Sequence, residues 1–146
     1  MAYLSVETLA LPDDFFRLVT EKIKLSKRRI VLSALYLGVE LEREKILLDT
    51  LTGALTNESL LEVSMIFDFS RSMRSRSSIL HTLGPLVSRF KGRLKVYLYR
   101  MPQVEDSLIT LPSPIDEVTA VYHCKFLVSS ATFLLIYIYC SHLTSL

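Results

Sequence analysis

His123 and Lys125 stand two positions apart in Val121-Tyr122-His123-Cys124-Lys125-Phe126-Leu127-Val128, a run otherwise rich in β-branched and aromatic residues. Such a run predicts a strand. Residues i and i+2 of a strand point to one face, so the imidazole and the ammonium would project side by side. That pairing suits phosphate chemistry, with the imidazole as nucleophile and the ammonium as a point charge on the phosphoryl oxygens. A half-buried His and a snorkelling Lys on an amphipathic strand would have the same pattern, and so short a motif is weakly specific. A second group follows Asp68, in Ser70-Arg71-Ser72-Met73-Arg74-Ser75-Arg76-Ser77-Ser78. Arg71, Arg74 and Arg76, with their serines, are suitable donors for the phosphates of a nucleotide or lipid headgroup. A solvated or phosphorylatable loop is the plainer alternative. Asp68 either orients a catalytic group or caps the next turn.

Composition narrows the classes. With 146 residues, a single domain with a real core is the default. Half the residues are apolar and 22% are charged, which excludes a disordered chain. A net charge of +2 is too small to argue for nucleic acid, and no nucleic-acid partner is expected. Cys124 and Cys140 make no disulfide framework, so a reducing compartment is the simpler assumption. His81, His123 and His142 are scattered, and no metal-ligand spacing exists. Met1 to Leu11 contain Glu7 and no Lys or Arg, so no secretory signal or mitochondrial presequence is legible there.

The elements that must position these residues alternate. Asp13 and Asp14 after Pro12 predict the N-cap of a helix carrying Phe15, Phe16, Leu18, Val19 and Ile23, with Lys22, Lys24 and Lys27 near its end. With Arg28 and Arg29, those lysines read more simply as a solvated helix end than as a patch for anionic lipid. Arg28 to Gly38 is a nearly continuous apolar run, a buried strand. Glu42 to Leu55 predicts a second helix, Glu62 to Phe69 a second strand, and Ile79 to Phe90 a third helix that Pro85 kinks or divides. Arg93 to Tyr99 alternates as a third strand with a basic face, and Met101 to Thr119 reads as a long loop. The order α-β-α-β-α-β-loop-β predicts an α/β layered fold with a mostly parallel sheet, whose ligands sit beyond the carboxyl ends of the strands. After Lys125 the sequence carries no Asp, Glu, Lys or Arg. Residues 127–146 are therefore expected as a separate apolar tail after a domain spanning 13–126, either a buried strand pair, a membrane-associated segment or one foreign to the domain.

Four segments carry a resemblance: Ser26-Lys27-Arg28-Arg29-Ile30-Val31-Leu32-Ser33-Ala34-Leu35-Tyr36-Leu37-Gly38, Asp68-Phe69-Ser70-Arg71, Leu94 to Tyr99, and His123-Cys124-Lys125. In order and separation they resemble the N-terminal portion of eukaryotic-type phosphatidylglycerophosphate synthase, a CDP-diacylglycerol–glycerol-3-phosphate 3-phosphatidyltransferase of the phospholipase D superfamily. The likeness runs from about Phe15 to Phe126. It implies a phospholipase D-like layered sheet with flanking helices, of which this chain holds about the first lobe. It also implies CDP-diacylglycerol and glycerol 3-phosphate as substrates, a membrane surface, a mitochondrial location and no cofactor. In that family two His-x-Lys motifs, each followed by four residues and an Asp, meet at one site. One His attacks the phosphorus of CDP-diacylglycerol and expels CMP, while the other is general acid and then base. By this resemblance His123 is the nucleophile and Lys125 its phosphate ligand, and Arg71 binds substrate.

The sequence departs from that pattern. Ser130 stands where the motif has Asp, and no second His-x-Lys occurs. Val39-Glu40 and Ser72-Met73 replace glycine-rich segments. The expectation is a truncated form, inactive alone, because losing one member of such a unit removes most of the catalysis. A homo-oligomer supplying a second copy is one route back to activity. The alternatives are another phospholipase D-type phosphodiesterase or nuclease, or a non-catalytic membrane-associated truncated product.

Overall fold

The structure, a computed structural model, describes residues 11–38, 42–73, 79–100 and 122–129. Its elements follow as α1 (Pro12–Leu25), β1 (Arg29–Ala34), α2 (Glu42–Asn57), β2 (Glu62–Asp68), α3 (Phe69–Met73), α4 (Ile79–Arg89), β3 (Leu94–Tyr99) and β4 (Phe126–Ser129). The strands form one sheet ordered β3-β2-β1-β4. β1, β2 and β3 are parallel, with Ile30 beside Val63 and Val63 beside Leu94. β4 runs antiparallel to β1, pairing Leu127 with Leu32 and Phe126 with Ser33. The α/β layered fold expected from the alternation is the one observed.

The crossovers β1-α2-β2 and β2-α4-β3 step the same way along the sheet. Right-handed crossovers taken in one direction put their helices on one face. The alternate strand residues Ile30, Leu32, Val63, Met65, Phe67, Leu94 and Leu127 share a single buried cluster with Val19 and Ile23 of α1, Leu51 and Leu55 of α2, and Ile79 and Leu83 of α4. Each such side chain taken from water contributes about 1.5–3 kcal/mol. The opposite face of the sheet presents Val31, Ser33, Ile66, Asp68, Tyr97 and Tyr99, some of them open to solvent.

Several local features differ from the sequence expectation for identifiable reasons. Leu11, not an aspartate, is the N-cap of α1, and Pro12 opens the helix. Proline's fixed φ suits that position, where its missing N–H has no intrahelical partner to lose. Asp13 and Asp14 lie in the first turn, where the helix dipole favours carboxylates. Pro85 sits inside α4 without dividing it. The outer residues of β3 are Lys95, Tyr97 and Tyr99, so that face is mainly aromatic. Arg93 is occupied elsewhere: its Nη1 donates to the Leu55 and Glu58 carbonyls, both at 2.9 Å. It thereby satisfies the Leu55 carbonyl in the last turn of α2 and adds a second donor to the Glu58 carbonyl, which also accepts from the Leu61 N–H. Gly92, with φ of 83°, makes the left-handed turn into β3.

β4 bears on the expected boundary at residue 126. Leu127 is buried, and the Ser129 hydroxyl hydrogen-bonds the buried Ser26 hydroxyl at the end of α1. Residues 127–129 thus lie in the sheet, while 130–146 fall outside the described residues. Among the described residues no helix is long and apolar enough to cross a membrane.

Candidate functional site at the carboxyl edge of the sheet

Three parallel strands end on one edge, at Ala34, Asp68 and Tyr99. Because β4 is antiparallel to β1, the chain enters β4 from that same edge. The segment 122–125, with His123 and Lys125, is therefore delivered to the place where open α/β sheets bind ligands. The ladder starts at Phe126, not at Val121. His123 and Lys125 consequently precede the strand, and strand alternation does not set their directions. His123 and Cys124 are exposed and Lys125 is half-buried.

Long-range hydrogen bonds hold this segment in place of a ladder. Asp68 is only 2% exposed. Its Oδ2 accepts from the Tyr122 N–H at 2.9 Å, and its Oδ1 accepts from the Arg71 N–H at 2.9 Å. The Asp68 N–H in turn donates to the Leu35 carbonyl at 3.1 Å. Ser33, 3% exposed, places Oγ 2.9 Å from the Cys124 carbonyl oxygen and 3.0 Å from the Tyr122 hydroxyl. A carbonyl only accepts, so the single Ser33 proton goes to Cys124, and the Tyr122 phenol donates to Ser33 Oγ. The Tyr122 ring also packs on Tyr99, with centroids 5.2 Å apart and planes tilted by 60°. The backbone is thus tied down on both sides of His123, through the Tyr122 N–H and the Cys124 C=O.

The same carboxylate starts α3. A side-chain oxygen accepting from the N–H three residues on is the geometry of an N-cap, and it explains why a serine- and arginine-rich stretch expected as loop is helical over Phe69–Met73. Arg71 is thereby carried on the same edge, half-buried. Arg74 and Arg76 lie outside the described residues. Large apolar side chains also crowd this edge: Tyr36 is 53% exposed, Tyr99 42%, and Phe69 and Met73 38% each. The Arg100 guanidinium sits 5.7 Å from the centre of the Phe69 ring. The lysines of α1 lie at the other edge, where an open groove of about 710 Å³ runs between Lys24, Lys27, Asp49, Thr50 and Glu58. Among the described residues no group of three metal-ligating side chains converges.

Sequence reasoning placed both alternatives on Asp68, orientation and capping, and the structure shows the cap together with a bond to Tyr122. It missed Ser33 and Tyr122. Ser33 had one signal, a lone hydroxyl in an otherwise apolar strand.

No family model matches the chain. The mouse mitochondrial CDP-diacylglycerol–glycerol-3-phosphate 3-phosphatidyltransferase is 36% identical over 128 residues, covering 82% of this chain. The chain belongs to that family over the matched stretch. It spans 23% of the mouse relative's length, in agreement with a resemblance limited to one portion of the phosphatidyltransferase. The human mitochondrial phosphatidyltransferase is 34% identical over the same share of both chains. A probable phosphatidyltransferase of Dictyostelium discoideum is 28% identical over 125 residues, covering 83% of this chain and 21% of its own length. Among solved structures, a phosphatidylserine synthase of Haemophilus influenzae Rd KW20 gives a distant likeness, with a TM-score of 0.46 and 22% identity over 53% of this chain and 17% of that one.

Proposed function

We propose that this chain contributes one half of a phosphatidyltransferase site that moves the phosphatidyl group of CDP-diacylglycerol to glycerol 3-phosphate, in phosphatidylglycerol and cardiolipin synthesis. The observation that carries the reading is the fixed backbone around His123 at the carboxyl edge, in a chain whose relatives bear that transferase's name. His123 is the nucleophile. A ring nitrogen attacks the lipid-side phosphorus, a nitrogen–phosphorus bond forms, and the phosphorus–oxygen bond to CMP breaks with its electron pair leaving on CMP. Lys125 and Arg71 stand against the phosphoryl oxygens, where charge accumulates in the transition state.

The two halves of the reaction make unequal demands. CMP departs as a phosphate monoester whose second pKa is about 6, so it needs little protonation at neutral pH. The second half-reaction must remove a proton from the glycerol 3-phosphate hydroxyl, which needs a general base. The sequence holds one His-x-Lys. We therefore infer that the chain alone completes the first half-reaction but not the second, and that turnover needs a second His-x-Lys from another polypeptide segment or another copy. The lipid substrate places the work at a membrane surface, mitochondrial as in the mouse and human relatives. The exposed Tyr36, Phe69, Met73 and Tyr99 suit contact with the headgroup region.

The test is CMP release from CDP-diacylglycerol in mixed micelles, with a single-stranded oligonucleotide as the competing phosphodiester substrate. The expected result is a burst that stops at about one CMP per chain, absent in His123→Ala, with the oligonucleotide intact. Cleavage of the oligonucleotide without CMP release would replace the transferase reading with a nuclease.

A further inference from the structure

We propose that Asp68 is a positioning residue for the His-x-Lys segment, holding the backbone next to His123 and the backbone of Arg71 on the two oxygens of one buried carboxylate. The proposal rests on the transferase reading of that site. An ordinary N-cap needs one acceptor, and Asn or Ser supplies it about as well as Asp. Asp68 uses two. Its oxygens receive N–H donors three residues away at Arg71 and 54 residues away at Tyr122. A carboxylate accepts on both oxygens, whereas an Asn amide offers one oxygen and one NH2 donor. In Asp68→Asn one of the two N–H groups must therefore face another donor. A cap alone does not call for an acid here; the second contact does.

The location gives that contact leverage. Asp68 ends the central strand β2, and its own N–H bonds the Leu35 carbonyl just after β1. The side chain thus refers the incoming segment to the two interior strands of the sheet. Tyr122 is the residue before His123, so a shift of its backbone N–H is passed on to the imidazole through a single residue. The Ser33 bond to Cys124 holds the other side. Misplacement of a reacting group by about 1 Å can cost roughly 100-fold in rate.

The experiment uses the 146-residue chain, with Asp68→Asn and Asp68→Ser. Serine keeps the cap on Arg71 but is too short to reach Tyr122 as well, so it preserves α3 if the acid unsettles the fold when replaced by Asn. Two readouts are taken: the rate constant of the CMP burst at saturating CDP-diacylglycerol, and the amide proton shifts of Tyr122 and Arg71 by NMR. Asp68→Ser is expected to slow the burst by about 10- to 100-fold, with the half-saturating lipid concentration unchanged, and Asp68→Asn to slow it to the extent that its NH2 group faces Tyr122. In Asp68→Ser the Tyr122 amide is expected to move upfield and the Arg71 amide to stay in place, whereas in Asp68→Asn the amide that faces the new NH2 group moves. A full-rate burst in Asp68→Ser, or a Tyr122 amide that does not move in that variant, would overturn the proposal. Loss of lipid affinity with an unchanged rate would do so too. If the wild-type chain gives no burst, the transferase reading falls instead, and the Tyr122 shift still decides whether the carboxylate anchors the segment.

Discussion

Replacing Ser33 with Ala removes one hydroxyl that serves two partners. The side chain is 3% exposed, donates to the Cys124 carbonyl at 2.9 Å and accepts from the Tyr122 phenol at 3.0 Å. Each such bond contributes about 0.5–1.5 kcal/mol net, so the pair amounts to roughly 1–3 kcal/mol. Cys124 is exposed, so water reaches its freed carbonyl and offsets part of the loss. The expected destabilisation is about 1–2 kcal/mol, and it should be concentrated where segment 122–125 leaves the sheet. One or two kcal/mol is a factor of about 5–30 in an opening equilibrium. Hydrogen exchange reads this directly. The Tyr122 amide, held by Asp68, should exchange about 5- to 30-fold faster in Ser33→Ala, while the Met65 amide in the central strand changes by less. Equal acceleration at both sites would mean that the mutation weakens the whole fold and that Ser33 does not hold this segment in particular. An unchanged Tyr122 amide would show that the Ser33 bonds carry no weight.

Other expectations concern the platform beneath the site. Phe67 is fully buried in β2 directly before Asp68, and Phe67→Ala should cost about 3–5 kcal/mol in urea unfolding, enough to leave a chain of this size barely folded. Gly92→Ala forces an L side chain into a turn with φ of 83° and should lower stability by about 1 kcal/mol, seen as a shift of the urea midpoint at constant slope. Arg93→Met keeps the apolar stem but removes the donor to the Leu55 and Glu58 carbonyls, of which Glu58 keeps the Leu61 N–H. It should cost about 1–3 kcal/mol by the same measurement, whereas Lys27→Met, which breaks an exposed pair with Glu58, should cost less than about 1 kcal/mol and lose its effect in high salt.

The parts of this molecule that were legible in its sequence are the local ones. Ile30 to Ala34 and Val63 to Phe67 announce buried strands because every neighbour is apolar or small, and Leu94 to Tyr99 alternates because one face of that strand meets solvent. The layered, mostly parallel fold class followed from their alternation with helices. The errors arose where one residue's conformation is decided by another far away. Ser70 to Met73 has a loop's composition, yet Asp68 caps it into a helix. His123 and Lys125 have a strand's neighbours, yet the ladder with β1 begins after them. The bonds that fix their segment join residues 54 to 91 positions apart, and no periodicity encodes such pairings. Arg71 and the His-x-Lys were singled out by type and resemblance; their common edge follows from β4 being antiparallel, which a sequence reading of a mostly parallel sheet did not specify.

The central claim is that His123 takes the phosphatidyl group. The chain would be incubated with CDP-diacylglycerol, digested without exposure to acid, and the peptide containing His123 weighed and fragmented. The account predicts a phosphatidyl adduct on His123 that is lost in mild acid, appears with stoichiometric CMP, and is absent from His123→Ala. An adduct on any other residue, or CMP release with His123 unmodified, would contradict it.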